Sequence, residues 1–135
     1  MAVVTGASGG IGAAVARRLA ADGMTVVVAY AGRRERADEV VAAITAQGGT
    51  ATAHRADVAD ETEVGALFDR AEELYGGVDV VVHAAGIMLL SPLADLDLAD
   101  FDRMHRTNVR GTVVVDQQAV RRLRRGERWS TSPPR

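Results

Sequence analysis

Residues 3–12 read VVTGASGGIG, four glycines behind a short apolar run. A pyrophosphate is best held by backbone N–H groups and the positive end of a helix dipole, with no side chain in the way. In that chemistry Gly6 makes the tight turn, Gly10 lets the backbone approach the phosphates, and Gly12 lets the following helix press against the strand. Ser8 adds a hydroxyl donor. The spacing TGxxxGxG differs from the GxGxxG fingerprint and lacks the Gly-Lys-Ser/Thr ending of a nucleotide-triphosphate loop. Such glycines can also form a purely structural turn; their place between a first strand and a first helix favours phosphate.

A second cue closes the next apolar run. An acid at that point would hold the ribose 2′-hydroxyl of NAD, whereas a nearby arginine accommodates the 2′-phosphate of NADP. Here Tyr30 is followed by Ala31, Gly32, Arg33 and Arg34. NADP is therefore favoured over NAD, with Arg33 the first candidate for a bidentate phosphate contact. The alternative for Arg33 and Arg34 is a solvated helix start, where the dipole disfavours cations unless an anion is near.

Other chemistries find little support. The chain has no cysteine, which removes disulfides, thiolate metal sites and a cysteine nucleophile. His54, His83 and His105 are scattered without ligand spacing, so no metal is expected. A net charge of −2 gives no general pull toward nucleic acid or membrane. Residues 103–135 do hold nine arginines against Asp116 and Glu127, but Arg121, Arg122, Arg124 and Arg125 stand near a helix C-terminus, where cations are favoured anyway. The apolar stretches are strand-sized, so neither a signal peptide nor a membrane span is expected, and the expectation is a soluble, cytoplasmic protein.

These residues need elements to position them, and 135 residues suffice for one domain. The pattern predicts a strand at Ala2–Thr5, then a helix with Ile11, Val15 and Leu19 at helical spacing, stopped by Asp22-Gly23. A valine-rich strand at 24–29 and a helix over 33–47 follow. A weaker strand at 50–54, a helix over 60–75 and a fourth strand at 79–84 come next. After a loop at 86–92, residues 97–125 read as one long helix. Alternation with short glycine turns implies right-handed crossovers and an α/β, doubly wound parallel sheet. Residues 1–125 form this dinucleotide-binding unit, and residues 126–135, GERWSTSPPR, form an irregular tail where a fifth apolar strand should stand.

Four segments together, T5GASGGIG12, A56DV58, H83AAG86 and N108VRG111, resemble the classical short-chain dehydrogenases/reductases in order and approximate spacing. The resemblance covers residues 2 to about 125 and implies a Rossmann-like fold that ends after about four strands. It implies nicotinamide dinucleotide binding by Gly6, Ser8, Gly10, Ile11 and Gly12, with Tyr30 and Arg33 on the ribose side. It also implies that Asp57 accepts a hydrogen bond from the adenine amino group, that Val58 lines the ring pocket, and that Ala84 and Gly86 pass close to the ribose. His83 and Ala84 stand where the family has two asparagines, and a structural role is the favoured reading of His83.

The implied chemistry is hydride transfer between nicotinamide and a small carbonyl or alcohol, using a tyrosine, a lysine four residues on, a serine and an asparagine. Asn108 matches the asparagine. Neither Tyr30 nor Tyr75 is followed by lysine, and the chain contains no lysine at all. Ser132 has nothing to position it. Two readings remain open: an oxidoreductase by descent that keeps its cofactor site without a catalytic centre of its own, or a noncatalytic dinucleotide-binding or subunit-interaction module. An unpaired fourth strand, Val80 to Val82, would favour association, including a homo-oligomer, and a long helix short of packing surface would expose Val113 and Val115.

Overall fold

A computed structural model describes residues 1–124. Four parallel strands, β1 (Ala2–Thr5), β2 (Val26–Tyr30), β3 (Ala51–Arg55) and β4 (Val80–His83), form one sheet in the order β3-β2-β1-β4. Between them run α1 (Gly10–Ala21), α2 (Arg34–Ala46) and α3 (Glu61–Tyr75), followed by α4 (Leu98–His105) and α5 (Gly111–Arg122). Val3 is in register with both Val27 and Val81, and Thr5 with His83, which aligns the carboxyl ends of the strands along one rim.

Strand side chains alternate between faces, so β1 and β2 feed two cores. Val3, Val27 and Ala29 pack with Leu67 and Phe68 of α3 and Val114 and Val115 of α5. Val4, Val26, Val28 and Tyr30 pack with Ala13, Ala16 and Ala20 of α1 and Ala37, Val40 and Ile44 of α2. Continuous burial of β1 and β2 explains their unbroken apolar composition.

Three sequence expectations change. Helix α1 buries Gly12, Ala13, Ala16 and Ala20 rather than a stripe through Ile11, Val15 and Leu19, and Ile11 is 80% exposed. The small face lets the helix lie close to β1, which larger side chains would prevent. The long helix is continuous in backbone conformation but carries a π-helical turn at Arg106–Arg110, and it ends at Arg122. Beyond it Leu123 bridges Val78 in parallel, and the Arg124 N–H donates to the Val78 carbonyl at 2.9 Å. Finally, Val115 is fully buried and only Val113 is exposed, because α5 packs against α3. The tail at 126–135, with Ser132, lies outside the described residues. No described helix is long and apolar enough to cross a membrane.

Candidate functional site

The strand ends and the loops after them enclose a cleft of about 890 Å³, where a doubly wound sheet offers its ligand crevice. Its floor is the turn from β1 into α1. Gly6 adopts φ +63°, and a Cβ there would stand 2.7 Å from the Ala85 backbone, so only glycine lets the β4 exit pass over the turn. A Cβ on Gly12 would collide with the Gly6 carbonyl, which fixes how closely α1 begins behind the strand. Helix α1 has no side-chain cap and no acid in its first turn, leaving its first N–H groups and its dipole for an outside anion.

Ten of the sequence candidates line this one cleft. They are Gly6, Ser8, Gly10, Ile11 and Gly12 on the floor, Tyr30 at the end of β2, Asp57 and Val58 after β3, and Ala84 and Gly86 after β4. Arg33 does not: it stands at the N-cap of α2, and Arg36, in the first turn of that helix, lines the cleft instead. Arg33 precedes the helix on extended backbone, φ −76° and ψ 107°, whereas Arg36 lies within the first helical turn. Arg103 and Thr107, from the far helix, complete a wall that sequence patterning did not indicate. No acid stands between Tyr30 and Arg34; Glu35 follows in the first turn of α2, and Arg34 Nε donates to Asp38 Oδ2 at 3.4 Å.

Asp57 is held from three directions. Its Oδ1 accepts from the Ala59 N–H at 2.9 Å, its Oδ2 accepts from Arg106 Nη1 at 2.7 Å, and its own N–H donates to Glu63 Oε2 at 2.7 Å. Burial pushes this carboxyl up, but the Arg106 and Ala59 hydrogen bonds together with Arg55 outweigh it and hold it below the usual carboxylate range.

Asn108 is exposed and does not line the cleft. Its Nδ2 donates to the Ile87 carbonyl at 2.7 Å and its Oδ1 accepts from the Ile87 N–H at 2.9 Å. The side-chain amide thus imitates a strand partner for the post-β4 loop, whose Ile87 does line the cleft. The π turn sets this up: one extra residue per turn re-aims the side chains of 106–110. Gly111, directly after it, packs where a Cβ would meet Val58 Cγ2 at 2.6 Å.

His83 and Thr5 share a hydrogen bond at 2.9 Å through His83 Nδ1, and the Ala85 N–H donates to the same hydroxyl at 3.3 Å. His83 Nε2 is buried and has no partner among the described residues. Burial lowers the His83 pKa, with the Asp116 carboxylate opposing the shift. Its folded-state value therefore lies below its unfolded value, so the contribution to stability is present above about pH 6.5 and is lost as pH falls through the folded value. The His83→Asn variant is expected to lose less melting temperature between pH 7.5 and pH 5.5 than the parent chain, with His54, also lowered by burial, accounting for the remainder. Equal losses would remove His83 from the account.

Comparison with known proteins bears directly on this constellation. The family model described as short chain dehydrogenase matches residues 1–129. The chain belongs to the short-chain dehydrogenase family. A versicolorin reductase of Emericella nidulans is 44% identical over 128 residues, covering 95% of this chain and 48% of that protein. A 3beta-hydroxysteroid dehydrogenase of Eggerthella lenta is 43% identical over 118 residues, covering 87% and 45%. Among solved structures, a Burkholderia cenocepacia short chain dehydrogenase in complex with NADP superposes with TM-score 0.84 at 48% identity, covering 90% of this chain and 50% of that one. A Sinorhizobium meliloti dehydrogenase/reductase gives TM-score 0.86 at 42% identity, with coverages of 90% and 48%. This short-chain dehydrogenase chain thus spans about half the length of the relatives it matches. The family resemblance read from four motifs and the doubly wound fold both stand.

Proposed function

We propose that the cleft holds a nicotinamide dinucleotide, NADP in preference to NAD, and that the chain is the cofactor-holding part of a carbonyl–alcohol oxidoreductase. The observation that carries the reading is the uncapped N-terminus of α1, opening with the Gly6 and Gly12 seats onto a cleft also lined by Arg36 and Asp57. An anionic pyrophosphate fits the floor. Arg36, rather than Arg33, meets a 2′-phosphate at the end of β2. The bound cofactor supplies the hydride chemistry.

The chain's own residues do the holding. Ser8 adds a donor beside the backbone N–H groups, Asp57 and Val58 receive the adenine, and the Ala84–Gly86 turn borders the ribose. Asn108 keeps the Ile87 loop in place at the cleft. What these 135 residues do not supply is the proton-transfer pair, because they contain no lysine. Tyr30 is 7% exposed in the α1–α2 core, and the Tyr75 hydroxyl donates to Thr52 Oγ1 at 3.3 Å, at the far end of α3. A second reading, a noncatalytic dinucleotide-binding module, draws on this same absence.

Titration of the purified chain with NADPH and NADH is expected to enhance nicotinamide fluorescence with both, more tightly with NADPH. Arg36→Ala should weaken NADPH about tenfold, the order of one lost charge-assisted hydrogen-bonding group, and leave NADH nearly unchanged. Absence of binding would overturn both readings. A panel of carbonyl substrates is expected to give no turnover with this chain alone, and robust turnover would show that proton transfer does not need the missing pair.

A further inference from the structure

The π turn does more than re-aim Asn108. Arg106 and Arg110, four residues apart across it, both reach the loop between β3 and α3. Arg110 Nε donates to the Ala59 carbonyl at 3.0 Å and its Nη2 to Glu61 Oε1 at 2.9 Å, while Arg106 Nη1 takes Asp57 Oδ2. Thr107, between them, lines the cleft. The side chains of Arg106 and Asp57 are 49% and 32% exposed, so the pair adds little to folding. Its effect lies in orientation.

We propose that Arg106 is a positioning residue for base recognition: by holding Asp57 Oδ2 it fixes that carboxylate as an acceptor at the cleft wall, so the site selects a 6-amino purine over a 6-oxo purine. This rests on the dinucleotide reading. A carboxylate has about four acceptor positions, and Ala59 and Arg106 use two. The remaining positions accept a hydrogen bond from an exocyclic amino group. An oxo group in the same place meets lone pairs with no proton between, because the carboxylate stays ionised at neutral pH. Ala59 alone fixes one oxygen and leaves the carboxylate plane to turn about it; Arg106 supplies the second point.

The test uses the whole 135-residue chain, with NADPH and its reduced hypoxanthine counterpart as the probes, read by nicotinamide fluorescence. The parent chain is expected to prefer the adenine form by roughly tenfold or more, the range of one hydrogen bond to a charged group. Arg106→Ala should bring that ratio to within about threefold of unity, mainly by weakening the adenine form, and Arg106→Lys should restore most of it. Melting curves establish that each variant is folded; the position is exposed and helical, and the lysine variant keeps the comparison available if alanine disturbs the turn. An unchanged ratio in a folded Arg106→Ala, or an equal loss for both dinucleotides, overturns the positioning role. Failure of the parent chain to bind either form overturns the dinucleotide reading itself, and binding without base preference overturns recognition through Asp57 while leaving that reading intact.

Discussion

Gly6→Ala is expected to destabilise the chain by about 2–5 kcal/mol and to abolish NADPH binding. Two costs combine. The residue sits at φ +63°, where a Cβ is disfavoured by roughly 1–2 kcal/mol, and that Cβ would stand 2.7–2.8 Å from backbone atoms of Ala84 and Ala85. Overpacking of this kind typically adds about 1–3 kcal/mol, and backbone cannot rotate away as a flexible side chain can. The strand exit would have to move, and with it the Ala84–Gly86 border of the cleft. Gly10→Ala provides the comparison, since Gly10 has φ +52° but a Cβ there would have no atom within 4 Å. It should lose only the conformational share, about 1–2 kcal/mol. Urea unfolding monitored by circular dichroism reads both, and equal losses would show that the contact with Ala85 is not what demands glycine at position 6.

The contrast between those glycines also marks how far sequence could be read. Strands β1 and β2 were visible because burial on both faces leaves unbroken valine runs, and helices α2 and α3 because Ala37, Val40 and Ile44, and Val64, Leu67, Phe68 and Ala71, repeat on one face. Helix α1 misled for a physical reason: its apolar residues of largest size, Ile11 and Leu19, suggested the inward face, but a helix whose first turn abuts β1 needs small residues there. The π turn had no local signal. No proline or glycine lies within Arg106–Arg110, and the side chains that engage its surroundings, Asn108 on Ile87 and Arg106 on Asp57, join segments 21 and 49 residues apart. In the site, the glycines were legible because backbone chemistry restricts residue type, and the β3 exit through the resemblance that A56DV58 carries. Arg36 was not, because Arg33, Arg34 and Arg36 are the same residue type, and only the fold shows that Arg33 stands on extended backbone before α2 while Arg36, in its first turn, reaches the crevice.

Phe68→Ala is expected to cost about 3–5 kcal/mol, the usual range for emptying a buried aromatic position. Phe68 is fully buried in α3 and belongs to the cluster that joins Val3 and Val27 of the sheet to Val114 of α5. A domain of this size has only about 5–15 kcal/mol in total, so the variant should unfold at a markedly lower urea midpoint. Leu74→Ala, on the same helix but at a 40% exposed position, should cost well under half as much. The functional consequence follows from Val58, which shares the Phe68 cluster and also lines the cleft. Removing the ring withdraws support from the wall that carries Asp57, so NADPH affinity should fall in Phe68→Ala under conditions where the variant is still folded, and should be unchanged in Leu74→Ala. If both variants bind as the parent does, the wall is held by the Arg106 and Arg110 contacts alone, and the α3 core serves stability without shaping the cleft.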